Sequence, residues 1–289
     1  MADLQLVIET ATLAPPVIFG HGGAGKVPDP ERLTERSTFI LSHAREAMAL
    51  LVAGANTRGL EGGVCKAVLR LTEDMELNPA FNAGRGSKLQ RDGKIRVSAA
   101  LMDGSRTRMA AIYNAEHCLH PATLAGHLLE TGDRNVDGLG AANLMREHGI
   151  APESLEMPER RAEFEKRKAG QTGTIGVVAV GPAAGTQTEI WACTSTGGRG
   201  YELPGRVSDS PTPAGNYACP LVAISATGIG EQILDLNLCG RMATRMIDGM
   251  SLADAMRKTM NEALAAGAYI GLIALGADGQ LGWARTTEC

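Results

Sequence analysis

The sequence predicts an α+β protein in which helices cover antiparallel sheets. The strand-like runs arrive as hairpins: 95–102 with 109–113 about the turn Asp103-Gly104-Ser105, 174–180 with 188–195, and 269–274 with 281–286 about Asp278-Gly279. Segments of helical spacing stand between them, largely in pairs. A strand that turns back at once pairs antiparallel with its neighbour, which argues against a doubly wound parallel sheet.

Each element has its own justification. Residues 16–20 (PVIFG) read as a short buried strand running into His21-Gly22-Gly23-Ala24-Gly25. Residues 34–51 carry Ile40, Ala44, Ala47 and Leu51 at helical spacing, and a second helix is read over 61–71. The stretch 76–86 (ELNPAFNAGRG) is too rich in Pro, Asn and Gly for helix or strand and reads as a loop. Two helices are read near 122–130 and 135–148. Residues 155–173 are mostly charged or small, with no apolar stripe, and read as a solvated tail. The pattern then flips to TIGVVAV, a β-branched strand from residue 174. Residues 221–225 read as a buried strand, and 231–246 and 251–265 as helices.

Composition narrows the function. With 289 residues the chain suits one large domain. Aromatics are 3% against 36 glycines, so the core must be packed from aliphatic and small side chains with tight turns. A formal net charge of −4 gives no electrostatic case for nucleic acid or an anionic membrane. No apolar run nears the roughly 18–20 residues needed to span a bilayer. The first residues lack a basic stretch followed by an apolar one, so the reading is no signal peptide and a cytoplasmic setting. Cys65, Cys118, Cys193, Cys219, Cys239 and Cys289 form no CxxC pair and read as reduced thiols. His117-Cys118-Leu119-His120 lacks a third ligand nearby. Gly138-Leu139-Gly140 lacks the third glycine of a dinucleotide fingerprint.

A charged segment running straight into a buried strand at Gly173-Thr174 admits two readings. One is a plain linker. The other is a processing site, in which glycine loosens the backbone and the threonine hydroxyl attacks the preceding carbonyl. Five motifs, in order, favour the second: His21-Gly22-Gly23-Ala24-Gly25; Phe81-Asn82-Ala83-Gly84-Arg85-Gly86; Thr194-Ser195-Thr196-Gly197-Gly198; Leu203-Pro204-Gly205-Arg206-Val207-Ser208-Asp209-Ser210-Pro211; and Ser225-Ala226-Thr227-Gly228-Ile229-Gly230-Glu231. Together they resemble the plant-type asparaginase and isoaspartyl aminopeptidase family of N-terminal-nucleophile hydrolases, over about residues 16–286. The resemblance implies a four-layer αββα sandwich and self-cleavage into an α subunit, 1–173, and a β subunit, 174–289.

The resemblance also implies roles. Thr174 is the expected nucleophile, with its freed α-amine as base, and Thr196 the hydroxyl that orients it. Thr227 and Gly228 are the expected oxyanion hole. Arg206 and Asp209 are expected to grip the α-carboxylate and α-ammonium of the substrate, with the Gly230 backbone beside the ammonium. Asn82 is expected to brace the site, and His21 reads as structural. The main-chain carbonyls of Met75, Glu76, Asn78, Phe81, Ala83 and Arg85 match the family's sodium loop; no organic cofactor is expected.

Departures bear on the leaving-group side. Ile229 replaces a small hydroxyl residue; Arg96-Val97-Ser98 stands where an acidic residue is frequent; and Arg199, Tyr201 and Glu202 replace residues that are usually neutral or basic. The expected substrates are isoaspartyl dipeptides first and L-asparagine second, in a dimer of αβ units. Glu202 is expected either to face a basic leaving residue such as Arg or to pair with Arg199 at the surface. The alternatives are a glycoasparaginase-like amidohydrolase and an unprocessed, non-catalytic amino-acid-binding relative.

Overall fold

The computed structural model describes residues 4–24, 29–166, 173–185 and 187–286. The chain begins with strands β1 (Val7–Thr12) and β2 (Val17–His21), then helices α1 (Pro30–Ala53) and α2 (Gly63–Leu77). Next come β3 (Val97–Asp103), β4 (Arg108–Ala115), α3 (Pro121–Gly126), β5 (Asn135–Val136), α4 (Gly138–Glu147) and α5 (Pro158–Glu165). The second half holds β6 (Ile175–Pro182), β7 (Thr188–Thr196), β8 (Asn216–Cys219), β9 (Val222–Gly228), α6 (Gly230–Leu236), α7 (Leu238–Ile247), α8 (Leu252–Ala265), β10 (Ile270–Gly276) and β11 (Gln280–Arg285).

The strands form two sheets. One has the order β1-β11-β10-β9-β8, the other β2-β6-β7-β3-β4-β5. Every pairing is antiparallel except the short β4–β5 contact. Val178, Val180 and Ile190 of one sheet pack on Ala223, Ile273 and Leu275 of the other, so the sheets lie face to face. Leu51, Val68 and Leu71 of α1 and α2 pack with Val177 and Cys193 on the outer face of the six-stranded sheet. Met242 and Met256 of α7 and α8 cover Ile224 and Leu272 on the other side. The layers therefore run α, β, β, α, as the resemblance implied. Buried valine and isoleucine on both faces of β6 explain its continuous apolar run, since a central strand between layers has no solvent side.

Several expectations need correction. The solvated tail over 155–173 contains α5, held by Arg161–Glu156 and Arg160–Glu163 ion pairs and by the Phe164 ring 5.8 Å from Tyr201. Pro158 at its first position, pre-set for helical φ, was the legible signal. Residues 167–172 of that tail, Gly25 of the HGGAG motif and Cys289 lie outside the described residues. The helix read over 135–148 begins only after Asp137, whose side chain accepts from Gly140 N at 2.9 Å; Asn135 and Val136 add an edge strand beside Ala111 and Ile112. Glu76 belongs to the end of α2 rather than to the loop. The helix read over 231–246 is two helices, broken at Asn237, which takes φ 45°. Strands β1 and β8 were not anticipated.

Among the described residues no helix is long and apolar enough to cross a membrane.

Candidate active site

Thr174 lies immediately before β6, Thr196 at the end of β7, and Thr227 and Gly228 at the end of β9. β6 and β7 run antiparallel, with Ile175 opposite Ser195, so the start of one meets the end of the other. β9 belongs to the facing sheet, and the stacking brings its end to the same place. The result is a cleft of about 340 Å³ whose wall includes Gly173, Thr174, Thr196, Arg206, Asp209 and Gly228.

The hydroxyls and the Gly173 carbonyl form one cluster. Thr174 is 5% exposed, and its Oγ1 donates to Thr196 Oγ1 at 3.3 Å and lies 3.5 Å from Ser210 Oγ. The Gly173 carbonyl accepts from Asn82 Nδ2 at 2.6 Å and from Thr196 Oγ1 at 3.4 Å. Asn82 Nδ2 also donates to the Gly198 carbonyl. Gly173-Thr174, Thr196 and Asn82, read from separate motifs, are thus brought together. Thr227 Oγ1 accepts from Ala24 N at 3.0 Å, which leaves its own proton to donate. Gly228 takes φ 140°, and a Cβ there would stand 2.4 Å from Tyr269 O, so glycine is required.

The charged wall differs from a simple Arg206–Asp209 pair. Arg206 binds Glu231 in a two-pronged contact, both distances 2.8 Å. Asp209 is 3% exposed and among the described residues its Oδ2 has no hydrogen-bond partner; burial pushes its carboxyl up to about 7. A Cβ on Gly230 would stand 2.7 Å from both Arg206 Nη2 and Asp209 Oδ1, so the absence of a side chain lets the two charges converge. Glu231 and Ser208 also line the cleft, and neither was assigned a role from sequence. The signal for Glu231 was its place directly after Gly230 at the head of a helix, but its partner lies 25 residues away.

Glu202 is the clear correction. It is 1% exposed and packs behind Gly198, outside the cleft wall, where burial raises its carboxyl above the ordinary value. It neither faces the cleft nor pairs with Arg199; the charged side chain on that side is Arg199 itself.

His21 agrees with its structural reading. Its Nε2 lies 2.9 Å from Ser225 Oγ, which contacts Thr194 Oγ1 at 2.7 Å, and burial lowers the imidazole to about 4. In the loop after α2, two glycines pass close against main-chain carbonyls. A Cβ on Gly84 would stand 2.2 Å from Glu76 O, and one on Gly86 1.6 Å from Phe81 O. The Asn78 and Ala83 carbonyls accept from Phe81 N and Gly86 N, each keeping a second lone pair. The Glu76 side chain points away, to Ser195 Oγ at 2.6 Å and His120 Nδ1 at 3.0 Å. These carbonyls and side-chain-free glycines fit a monovalent cation.

The asparaginase family model matches residues 14–289 of this sequence. The chain belongs to that family. An isoaspartyl peptidase/L-asparaginase from Nostoc sp. is 38% identical, covering 94% of this chain and 89% of the relative. One of the same description from Synechocystis sp. is 36% identical over 94% and 85%. An isoaspartyl peptidase from Salmonella typhimurium is 32% identical over 92% and 90%. Membership in the asparaginase family agrees with the order of the five motifs and with the stacked sheets.

Proposed function

We propose that this protein is a self-cleaving β-aspartyl amidohydrolase that acts on isoaspartyl dipeptides first and L-asparagine second, with Thr174 as nucleophile. The descriptions of its relatives support the substrate class. The observation that carries the mechanism is the Gly173 carbonyl, met by two hydrogen-bond donors beside the Thr174 hydroxyl.

In maturation, Thr174 Oγ1 attacks the Gly173 carbonyl carbon. The carbonyl oxygen gains negative charge where Asn82 and Thr196 already donate, and the acyl group passes from nitrogen to oxygen. Water then hydrolyses that ester, leaving a carboxylate on Gly173 and a free α-amine on Thr174. Such an amine has an ordinary pKa of about 7.7–8.0, suited to a general base near neutrality.

In turnover, the free edge of Arg206 takes the substrate α-carboxylate and Asp209 the α-ammonium. The α-amine accepts the Thr174 hydroxyl proton as Oγ1 attacks the side-chain amide carbon. Thr227 Oγ1 and the Gly228 N–H stabilise the oxyanion. The amine leaves with the proton, and water hydrolyses the acyl-enzyme ester to release aspartate. Main-chain carbonyls of Met75, Glu76, Asn78, Phe81, Ala83 and Arg85 would hold a sodium ion, which would stiffen the loop that carries Asn82. No organic cofactor enters these steps. The family resemblance supports a dimer of αβ units.

The test is maturation of wild type and Thr174→Ala on a denaturing gel, with β-aspartyl-leucine and asparagine assayed on the product. Wild type should give fragments of 173 and 116 residues and release aspartate from both compounds. Thr174→Ala should remain one chain; its cleavage would mean that an external protease does the work.

A further inference from the structure

Among the described residues the cleft carries four charged side chains, two of each sign: Arg199, Arg206, Asp209 and Glu231. Arg206 and Glu231 bind each other, and Asp209 has an unpartnered oxygen waiting for an ammonium. Arg199 is exposed at the cleft and, among the described residues, makes no ion pair.

The base of Arg199 is fixed. The preceding Gly198 is tied at both ends, its carbonyl accepting from Asn82 and its N–H donating to Thr196 Oγ1 at 3.3 Å. Gly198 and Gly200 take φ 77° and 84°, a tight turn that presents the residue between them. The anchors of Arg199 are therefore the same two side chains that surround the nucleophile, while its guanidinium reaches solvent. The Glu231 carboxyl is held below its ordinary value first by the hydrogen bond from Arg206 and, more weakly, by the charge of Arg199.

Resting on the proposed function, charge matching separates its two substrates. The aspartyl half is the same in both and brings one carboxylate and one ammonium, answered by Arg206 and Asp209. Asparagine then loses ammonia, whereas a dipeptide loses an amino acid whose own α-carboxylate sits two bonds from the departing nitrogen. That extra anion has no partner in an Arg206–Asp209 pocket.

We propose that Arg199 recognises the α-carboxylate of the leaving amino acid, and so makes the site selective for β-aspartyl dipeptides with a free C-terminus. The contact is made at the mouth of the cleft, the route by which the leaving residue departs. This reverses the polarity that the expected Glu202 contact implied: the leaving-group side is cationic.

The experiment compares kcat/KM for β-aspartyl-leucine and β-aspartyl-leucinamide on processed enzyme, in wild type, Arg199→Gln and Arg199→Lys. Wild type should favour the free acid by about three- to tenfold, the range between an exposed ion pair and a hydrogen bond to a charged group. The preference should shrink when ionic strength rises, since the pair is solvent-exposed; this arm needs no variant. Arg199→Gln should bring the acid-to-amide ratio close to one, and Arg199→Lys should keep part of it. A wild-type ratio of one, or an unchanged ratio in Arg199→Gln, would overturn the proposal. Equal losses on acid, amide and asparagine would instead assign Arg199 to the aspartyl half and also overturn it. Failure of processed wild type to cleave asparagine or either dipeptide would overturn the functional reading beneath it.

Discussion

Asp209 combines a binding role with a cost to the fold. An ordinary aspartic acid titrates near 3.8, whereas burial moves this one to about 7. Between those values the folded state keeps a proton that the unfolded state has lost. Its stabilising contribution is therefore complete below about 4 and is lost as pH rises through 7. His21 has the opposite sign: its folded value of about 4 lies below the ordinary 6.5, so its contribution is present above 6.5 and lost as pH falls toward 4. The two oppose each other across the acid range. Asp209→Asn should raise the melting temperature at pH 8, where the unpaired buried charge is removed, by a stability gain on the order of 2 kcal/mol. It should help little at pH 4 and should expose the acid loss due to His21. Hydrolysis by wild type should weaken in kcat/KM as pH falls through the range of about 8 to 7, because the α-amine base gains a proton and the neutral Asp209 acid cannot pair with an ammonium. Melting of Asp209→Asn below wild type at both pH values would refute this account. The Thr174, Thr196, Arg206 and Asp209 positions were legible from motif order. The ionisation of Asp209, and the Glu231 that occupies one edge of Arg206, were not. Burial and a partner 25 residues distant leave no mark in local sequence.

At the scale of elements, local pattern found the hairpins and the long helices and failed where a tertiary contact intervened. The junction of α6 and α7 is an instance. Apolar spacing continues through Asn237, yet that residue turns left-handed, and Cys239 N donates to Ala214 O at 3.0 Å instead of within the helix. Asparagine bears this conformation better than most L residues because its short side chain bonds locally. Asn237→Gly should leave stability near wild type, while Asn237→Ala should cost about 1 kcal/mol, because alanine keeps the Cβ but loses the short polar side chain that eases left-handed geometry. The urea midpoints of the two variants decide it; identical midpoints would mean that the junction relaxes into one continuous helix. Strand β1 escaped notice for a related reason. It is an exposed edge strand with little alternation, and what makes it a strand is pairing with β11, Val7 opposite Arg285. The α5 helix was missed because its stripe is charged; its ion pairs and the Phe164–Tyr201 contact hold it.

On the scale of the whole molecule, the proposed cut at Gly173-Thr174 does not divide the fold. Strands β1, β2 and β3 precede it; β11, β6 and β7, their sheet neighbours, follow it. Both sheets therefore mix the two fragments, and the apolar layer between the sheets mixes them again. The fragments should co-elute in native gel filtration and separate only in denaturant, since parting them would expose paired backbone and apolar surface together. Separation under native conditions would contradict this topology. The sequence by itself determined the α+β class, the hairpin turns, the candidate nucleophile and the family of the chain, because turn chemistry, side-chain period and motif order are properties of neighbouring residues. Only the tertiary structure decided that Glu231 faces Arg206, that Glu202 is buried behind Gly198, and that Arg199 stands at the cleft with no ion pair among the described residues. Those outcomes depend on sheet register and on the stacking of two sheets, which bring together residues whose distance along the chain says nothing about their distance in space.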